Sequence, residues 1–102
     1  MKNIVCVARY KAKKERLNDL ILALQELTPP TRQEAGCLQY DLCHEPEYKE
    51  AAGDIWDVCF IEKWKSILDF ELHCNKPYIK SFFNEESKKI VEKSDIRIFS
   101  MF

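Results

Sequence analysis

Residues 37–64 read CLQYDLCHEPEYKEAAGDIWDVCFIEKW, and apolar and polar side chains alternate in two parts of this stretch. The alternating parts are residues 37–44 and residues 55–64, and a polar connection with one proline and one glycine separates them. A period of two is typical of β-strands that bury one face. The stretch therefore predicts a β-hairpin with a long loop.

A strand and a helix precede the hairpin. Residues 3–10 alternate and are rich in β-branched side chains, which predicts the first strand. A helix is predicted from the apolar residues that recur at helical spacing, namely Leu17, Leu20, Ile21, Leu24 and Leu27. Because Pro29 and Pro30 lack backbone N–H groups, we expect this helix to stop or kink there, with one more turn in residues 31–35 before Gly36.

Two helical segments and a final strand follow the hairpin. Ser66 and Asp69 form a weak capping box that opens a short helix, and Pro77 marks a new helix start. We expect this second helix to continue as far as Ser94, and residues 96–102 to form the last strand. The order strand, helix, strand, strand, helix, strand is that of the ferredoxin-like split βαβ fold, in the α+β class.

The chain of 102 residues has room for one domain, residues 1–102. Its helices cover only one face of the predicted sheet, yet the strands carry apolar residues on both faces. A second copy of the chain would cover the other face, so we expect a homodimer. The residues that the second copy would bury are either the set with Val5, Val7 and Phe99 or the set on the opposite face of the same strands. The sequence leaves both open, because a shift of one residue in the strand register exchanges the two faces.

Composition excludes several classes of partner. Sixteen basic and seventeen acidic side chains give a formal net charge of -1, without the basic face that nucleic-acid binding requires. No apolar run approaches the roughly 20 residues that cross a bilayer. The five cysteines include no pair at two-residue spacing and are expected to be small buried hydrophobes in a reducing compartment. We therefore expect a cytoplasmic protein with no nucleic-acid or membrane partner, no metal site and no bound cofactor.

Three segments of the chain resemble the antibiotic biosynthesis monooxygenase domain family. They are residues 5–10 (VCVARY), residues 31–42 (TRQEAGCLQYDL) and residues 60–66 (FIEKWKS), followed by His73 and Tyr78. The resemblance runs through essentially the whole chain and implies a dimeric α+β barrel of ferredoxin-like protomers. The family includes quinol and anthrone monooxygenases that use dioxygen without flavin or metal, haem-degrading enzymes and an isomerase that acts on a phosphorylated sugar.

Two branches of the family differ from this chain at residues on which they depend. The haem-degrading branch uses an Asn on the first strand and a His on the final helix, where this sequence has Ala8 and the pair Phe82-Phe83. The anthrone branch uses an Asn shortly before the Trp of the third strand, where this sequence has Phe60. The resemblance therefore favours a quinol monooxygenase-like enzyme over haem degradation.

His73, Glu62 and Trp64 are the candidate catalytic residues. A histidine titrates near neutral pH and can act as base or proton donor, although a histidine at a helix end is also commonly exposed or packed on a neighbour such as Trp64. Glu62 alternates with aromatic residues on the third strand, where burial would raise its pKa. It is either a base that also orients His73 or a structural partner of an arginine.

Five further residues are candidates for substrate binding. Tyr40 can line a pocket for a flat aromatic ring, and Tyr78 and Phe82 lie one helical turn apart and can form the opposite wall. Arg9 and Arg32 can hold an acidic substrate or an oxyanion by charge-assisted hydrogen bonds. Each has a structural alternative, since aromatic residues of strands are commonly core and the arginines can form interface ion pairs.

We therefore expect a small homodimeric enzyme, a cofactor-independent monooxygenase that oxidises a reduced, quinol-like aromatic substrate with dioxygen. Such a reaction needs a dry pocket, a base, and donors that hold a substrate anion. The alternative is a non-redox protein on the same scaffold. That protein is either an isomerase for a small carbonyl compound or a binding and stress-response module.

Overall fold

The structure is a computed structural model that describes residues 2–102. Its strands are β1 (Ile4–Ala12), β2 (Cys37–His44), β3 (Val58–Trp64) and β4 (Val91–Ser100). Its helices are α1 (Leu17–Arg32), α2 (Ile67–Cys74), α3 (Pro77–Ser81) and α4 (Ser87–Ile90), and a π-helical segment, Phe82–Glu86, joins α3 to α4. Within residues 2–102, none of the helices is long and apolar enough to span a bilayer.

The four strands form one antiparallel sheet in the order β2-β3-β1-β4. The central strand β1 pairs with β3 on one side, where Cys6 lies opposite Glu62, and with β4 on the other, where Val5 lies opposite Phe99. β2 and β3 form the predicted hairpin, in which Tyr40 lies opposite Glu62. This topology confirms the predicted ferredoxin-like βαββαβ fold.

Alternation along β1 and β3 decides which side chains the helices cover. Every second residue of the two strands is buried: Ile4, Cys6, Ala8, Tyr10, Val58, Phe60, Glu62 and Trp64. Leu20, Leu24 and Leu27 are the buried leucines of α1 and belong to the same hydrophobic cluster. The core therefore lies between one face of the sheet and the helices, as the periodicity of both elements predicts.

The opposite face of the sheet points away from the helices. Val5, Val7 and Ile61 are half-buried there, and Phe99 is 56% exposed. Directly opposite residues of neighbouring strands point to the same side, so Val5 and Phe99 belong to one apolar patch. Of the two faces that the sequence left open, the one available to a second copy is therefore the face with Val5, Val7 and Phe99.

The helix α1 continues through Pro29 and Pro30 to Arg32 instead of stopping at the prolines. A proline removes the hydrogen bond to the carbonyl four residues earlier. The two carbonyls concerned belong to Gln25 and Glu26, which are exposed together with the prolines. Water can satisfy both carbonyls, so the helix tolerates the prolines on its outer side.

The strand β4 spans Val91–Ser100, whereas the sequence predicted helix up to the break before residues 96–102. In the structure Ala12 pairs with Val91 and Lys11 pairs with Lys93, so hydrogen bonds to β1 replace the last helical turn. Pairing with β1, which is distant in the chain, thus overrides the helical spacing of the residues before Ile96.

The strand β3 begins at Val58 rather than at Ile55 as predicted. The carboxylate of Asp57 accepts a hydrogen bond from the backbone N–H of Ala12 (2.8 Å), and the Asp57 N–H donates to the carbonyl of Tyr10 (3.1 Å). These contacts end the loop against β1 before the hairpin pairing starts.

Only Cys6 among the five cysteines is buried. Cys37 and Cys59 are half-buried, and Cys43 and Cys74 are exposed, so the expectation that the cysteines are buried hydrophobes is wrong for most of them. The reason is position, since Cys6 points from the central strand to the helices. Cys43 and Cys59 lie on the opposite face of the hairpin, and Cys74 lies at the end of α2.

Gly36 lies between α1 and β2 and is in close contact with the start of α2. A Cβ atom at this position would lie 2.3 Å from both Cβ and Cγ of Asp69. The backbone N–H of Asp69 also donates to Ser66 Oγ (3.2 Å), which caps α2. We expect Gly36→Ala to lower the free energy of unfolding by about 2 kcal/mol, measured by urea denaturation, because the clash displaces the cap.

A second substitution provides the control for this clash. Asp69→Gly removes the three side-chain atoms that the new Cβ would meet and by itself costs about 1 kcal/mol as a glycine in a helix. The double variant should therefore be more stable than the sum of the two single effects predicts. Strict additivity would show that the contact between Gly36 and Asp69 does not limit the size of residue 36.

Candidate active site

A cavity of about 60 Å³ lies between the sheet and the helices that follow β3. Most of its walls are apolar or aromatic, and the polar side chains among its lining residues include Tyr40, Glu62 and His73. Phe83 and Ile96 also line it and are exposed, so they mark its mouth. The apolar lining with a few convergent polar groups is typical of a small-molecule site. The volume is below the roughly 300–1,000 Å³ of sites for drug-sized ligands, so this cavity suits a small ligand.

Glu62 points into this cavity because it shares the inward face of β3 with Phe60 and Trp64. Its side chain is buried, and Trp64 Nε1–H donates to its Oε1 at 3.0 Å. The pKa of Glu62 is raised to about 7, mainly by burial; hydrogen bonds from Trp64 and Cys6 oppose the rise, and the neighbouring Glu34 carboxylate adds to it. Its partners within the protomer are thus an indole and a thiol rather than an arginine.

His73 faces the same cavity from α2 and is also buried. Its Nδ1 lies 3.0 Å from Glu34 Oε2, and its ring packs on Trp64 with the centroids 4.6 Å apart. Burial lowers the pKa of His73 and so favours the neutral imidazole, while the hydrogen bond to Glu34 opposes this. Because a carboxylate only accepts, Nδ1 carries the proton and the lone pair lies on Nε2.

Glu34 is the site residue that the sequence did not reveal. Its Oε2 accepts hydrogen bonds from His73 Nδ1–H and from the Tyr78 hydroxyl, which in turn lies 3.4 Å from Thr31 Oγ1. Burial and the hydrogen bond to Glu34 together raise the pKa of Tyr78 to about 12. Glu34 lies within the segment TRQEAGC, but no local pattern indicates that its partner is His73 on another helix.

Two aromatic residues named from the sequence lie at the cavity in different ways. Tyr40 lines it and stacks on Phe60, with ring centroids 4.3 Å apart, and burial raises the pKa of its hydroxyl. Trp64 is completely buried behind the polar groups, in contact with both Glu62 and His73. Tyr40 is thus placed to contact a ligand. Trp64 instead positions Glu62 and His73, which line the cavity.

The remaining residues named from the sequence lie away from the lining. Phe82 is fully buried and packs edge-on against Tyr10, while the next residue, Phe83, lines the cavity mouth. Tyr78 reaches Glu34 instead of the cavity wall. The prediction assumed regular α-helical spacing along this segment. A π-helix instead begins at Phe82, and its wider turns change the directions in which the side chains point.

Arg9 and Arg32 are both outside the cavity in the protomer. Arg9 lies on the opposite face of the sheet, where it pairs with Asp95 and packs over Trp56, 4.8 Å from the ring centroid. Arg32 lies beside β2, donating to the carbonyl of Tyr40 (3.1 Å) and to the carboxylate of Asp41 (3.0 Å). Within the described part of the chain, no three His, Cys, Asp or Glu side chains are grouped to hold a metal ion.

Comparison with known families assigns the scaffold. Residues 3–85 match the model of the antibiotic biosynthesis monooxygenase family. The chain belongs to this family. The family match covers the strands and helices that carry Glu62, Trp64 and His73, which stay candidate catalytic residues.

Three individual proteins show how far the likeness extends. Protein SO0527 from Shewanella oneidensis is 33% identical, with a TM-score of 0.88 over 98% of this chain and 91% of its own. A dimeric protein of ferredoxin-like fold from Bacteroides fragilis, 7% identical, reaches a TM-score of 0.76 over 97% of this chain and 96% of its own. Uncharacterized protein sll1783 from Synechocystis sp. is 24% identical over 98 residues, which are 96% of this chain. The chain spans 63% of the length of that relative.

Glu62 should make the stability of the protein fall as the pH rises. Its pKa is raised from an ordinary value of 4.5 to about 7, so the folded protein binds more protons than the unfolded chain between these values. Denaturant unfolding across this range should show a decline in the free energy of unfolding of about 3 kcal/mol from this group. Glu62→Gln should remove that decline, whereas Glu26→Gln, on the exposed side of α1, should keep it. Parallel profiles for the wild type and Glu62→Gln would contradict the assignment.

Trp64→Phe should raise the pKa of Glu62 further. The substitution keeps an aromatic ring but removes the N–H that donates to Glu62 Oε1 and stabilises the carboxylate. The titration can be followed by the ¹³C resonance of labelled glutamate carboxyl groups, with Glu62→Gln identifying the signal. Trp56→Phe is the matched control, because Trp56 packs with Arg9 on the other face of the sheet. An unchanged pKa in Trp64→Phe would rule out this hydrogen bond.

Proposed function

We propose that this protein is a cofactor-independent monooxygenase that oxidises a small, quinol-like reduced aromatic substrate with dioxygen. The observation that carries the proposal is that two buried proton-transfer groups, Glu62 and His73, meet in one cavity with apolar and aromatic walls. A quinol must lose a proton before its anion can pass an electron to dioxygen, and a base with a pKa near the working pH serves this step best. Membership of the antibiotic biosynthesis monooxygenase family supports oxygenation as the reaction class.

His73 is the base in this proposal. Its Nε2 carries the lone pair because Glu34 holds the proton on Nδ1, and the Glu34 carboxylate would stabilise the imidazolium that forms. Tyr40, on the cavity wall, offers a ring for stacking and a hydroxyl that can donate to the substrate anion. Burial disfavours an unpaired charge in the cavity, so the substrate anion depends on the His73 imidazolium and the Tyr40 hydroxyl for its stabilisation.

Glu62 is the proton donor in the second half of the reaction. With a pKa of about 7 it is partly protonated at neutral pH. Addition of dioxygen to the ring of the anion gives a peroxide, which takes back the proton from His73 to become a hydroperoxide. Glu62 would then protonate the outer oxygen, which leaves as water. At the same carbon the ring C–H bond breaks, its electron pair forms the C=O bond, and the released proton restores Glu62. One oxygen atom enters the ring, the other leaves as water, and the substrate loses two hydrogens, so the reaction balances.

We also propose that the protein works as a homodimer through the apolar patch of Val5, Val7, Ile61 and Phe99. These side chains are only partly covered within the protomer, and patches of this kind commonly mark association sites. The same fold is described as dimeric in the relative from Bacteroides fragilis. The cytoplasmic location and the lack of nucleic-acid or membrane partners stay predictions.

A non-redox isomerase is the second candidate, favoured by the same two proton-transfer groups. A base and an acid in an apolar cavity can move a proton next to a carbonyl without dioxygen. The lining residues include neither Lys nor Arg, so the cavity favours a small substrate without phosphate.

Oxygen uptake by metal-free protein with a panel of hydroquinones, in air and under nitrogen, tests the proposal. We expect uptake above the autoxidation blank and one ¹⁸O atom from ¹⁸O₂ in the product. His73→Ala and Glu62→Gln should each lower kcat/KM by about 100-fold, because each removes one proton transfer. His44→Ala is the matched control, since His44 is exposed at the end of β2.

Two results would overturn the proposal that the protein is a monooxygenase. One is uptake equal to the blank, and the other is an unchanged rate in both site variants. Conversion of a carbonyl substrate under nitrogen that depends on His73 would favour the isomerase instead.

A further inference from the structure

Two cysteines lie directly across from each other on the hairpin. Cys43 of β2 and Cys59 of β3 are partners in the strand register, and both side chains point to the outward face of the hairpin. Directly opposite residues of an antiparallel pair have Cα atoms about 4.5–5.5 Å apart. A disulfide requires about 4.4–6.8 Å between Cα atoms. The sheet therefore already holds these two residues at the separation that a disulfide needs.

We propose that Cys43 and Cys59 form a reversible disulfide within one chain when a peroxide oxidises the protein. Cys43 is exposed and meets the oxidant first. Its thiolate attacks one peroxide oxygen, which gives a sulfenic acid and hydroxide. The Cys59 thiolate then attacks the Cys43 sulfur, so that the S–S bond forms and the second hydroxide leaves. The two thiol protons turn both hydroxides into water, and the two electrons that the sulfurs lose reduce the peroxide.

The charged groups around the pair suit this order of attack. Burial raises the pKa of the Cys59 thiol, with Cys43 and Glu45 adding to the rise, while Arg9 lowers it. Arg9 is the partner of Cys59 on β1 and is itself paired with Asp95. The less accessible Cys59 is thus the residue that resolves the sulfenic acid, and the Arg9 guanidinium assists its thiolate.

The pair lies outside the cavity but on the same face of the sheet as the apolar patch. It lies on the face of the sheet that points away from the cavity, in the same row as Arg9. The nearest members of the apolar patch, Val7 and Ile61, lie two residues from Arg9 and Cys59 along their strands, which is about 7 Å at the rise of a strand. Oxidation of the pair therefore depends on neither the proposed reaction nor its substrate.

The disulfide would close the long hairpin loop at its base. In the reduced protein the Trp56 N–H donates to Glu45 Oε1 (2.8 Å), and Asp57 bonds the backbone of β1. A covalent link between residues 43 and 59 would hold the same ends together and would restrict the unfolded chain. Oxidation should thus stabilise the protein and make this loop harder to displace.

Oxidation of the native full chain with hydrogen peroxide tests the proposal. After the remaining thiols are blocked with N-ethylmaleimide, peptide mass spectrometry should show residues 43 and 59 joined, with the loss of two free thiols that dithiothreitol restores. The thermal midpoint should rise by on the order of 10 °C on oxidation. Cys43→Ser and Cys59→Ser should each abolish the linked peptide and the rise, whereas Cys74→Ser, at another exposed cysteine, should change neither.

Three results would overturn the proposal: a full set of free thiols after oxidation, a link between two copies of the chain, or a link that uses another cysteine. The peptide map of the wild-type protein is decisive by itself, even if a serine variant does not fold.

Discussion

The burial of the Glu62 carboxyl group on the helix side of β3 is the constraint on which the site depends. A charged carboxylate in an apolar core is strongly unfavourable unless it is hydrogen-bonded or protonated. Here the Trp64 indole and the Cys6 thiol bond it, and its pKa is nonetheless raised to about 7. The core around Glu62 is not completely filled, and the remaining space is the cavity that His73 also faces.

A second polar chain fixes the opposite wall of that cavity. Thr31 near the end of α1, Glu34 in the following turn, His73 of α2 and Tyr78 of α3 are joined by hydrogen bonds or close polar contacts. Contacts of this kind orient an imidazole more strictly than apolar packing does, because they fix its tautomer as well as its position. The cavity therefore has one carboxyl group that resists ionisation and one neutral imidazole, held by separate partners.

On the other face of the sheet, the strand register sets Val5 and Phe99 in one row, and Arg9, Asp95 and the cysteines in another. The row through Val5 and Phe99 is apolar, whereas the row through Arg9 carries an ion pair with Asp95. In the hairpin the same register sets Cys43 opposite Cys59. A shift of the edge strand β2 by one residue against β3 would separate these cysteines and would also turn Tyr40 away from the cavity.

The sequence by itself determined the element order, the hairpin of residues 37–64 and the grouping of Glu62 with Trp64 on one strand face, because periods of two and 3.6 follow from backbone geometry. The tertiary structure alone decided the contact between Glu34 and His73, the distance of Arg9 and Arg32 from the cavity, and the start of β4 at Val91. It also placed Phe83 rather than Phe82 at the cavity mouth. These features depend on pairing and packing between residues far apart in the chain, which local periodicity does not encode.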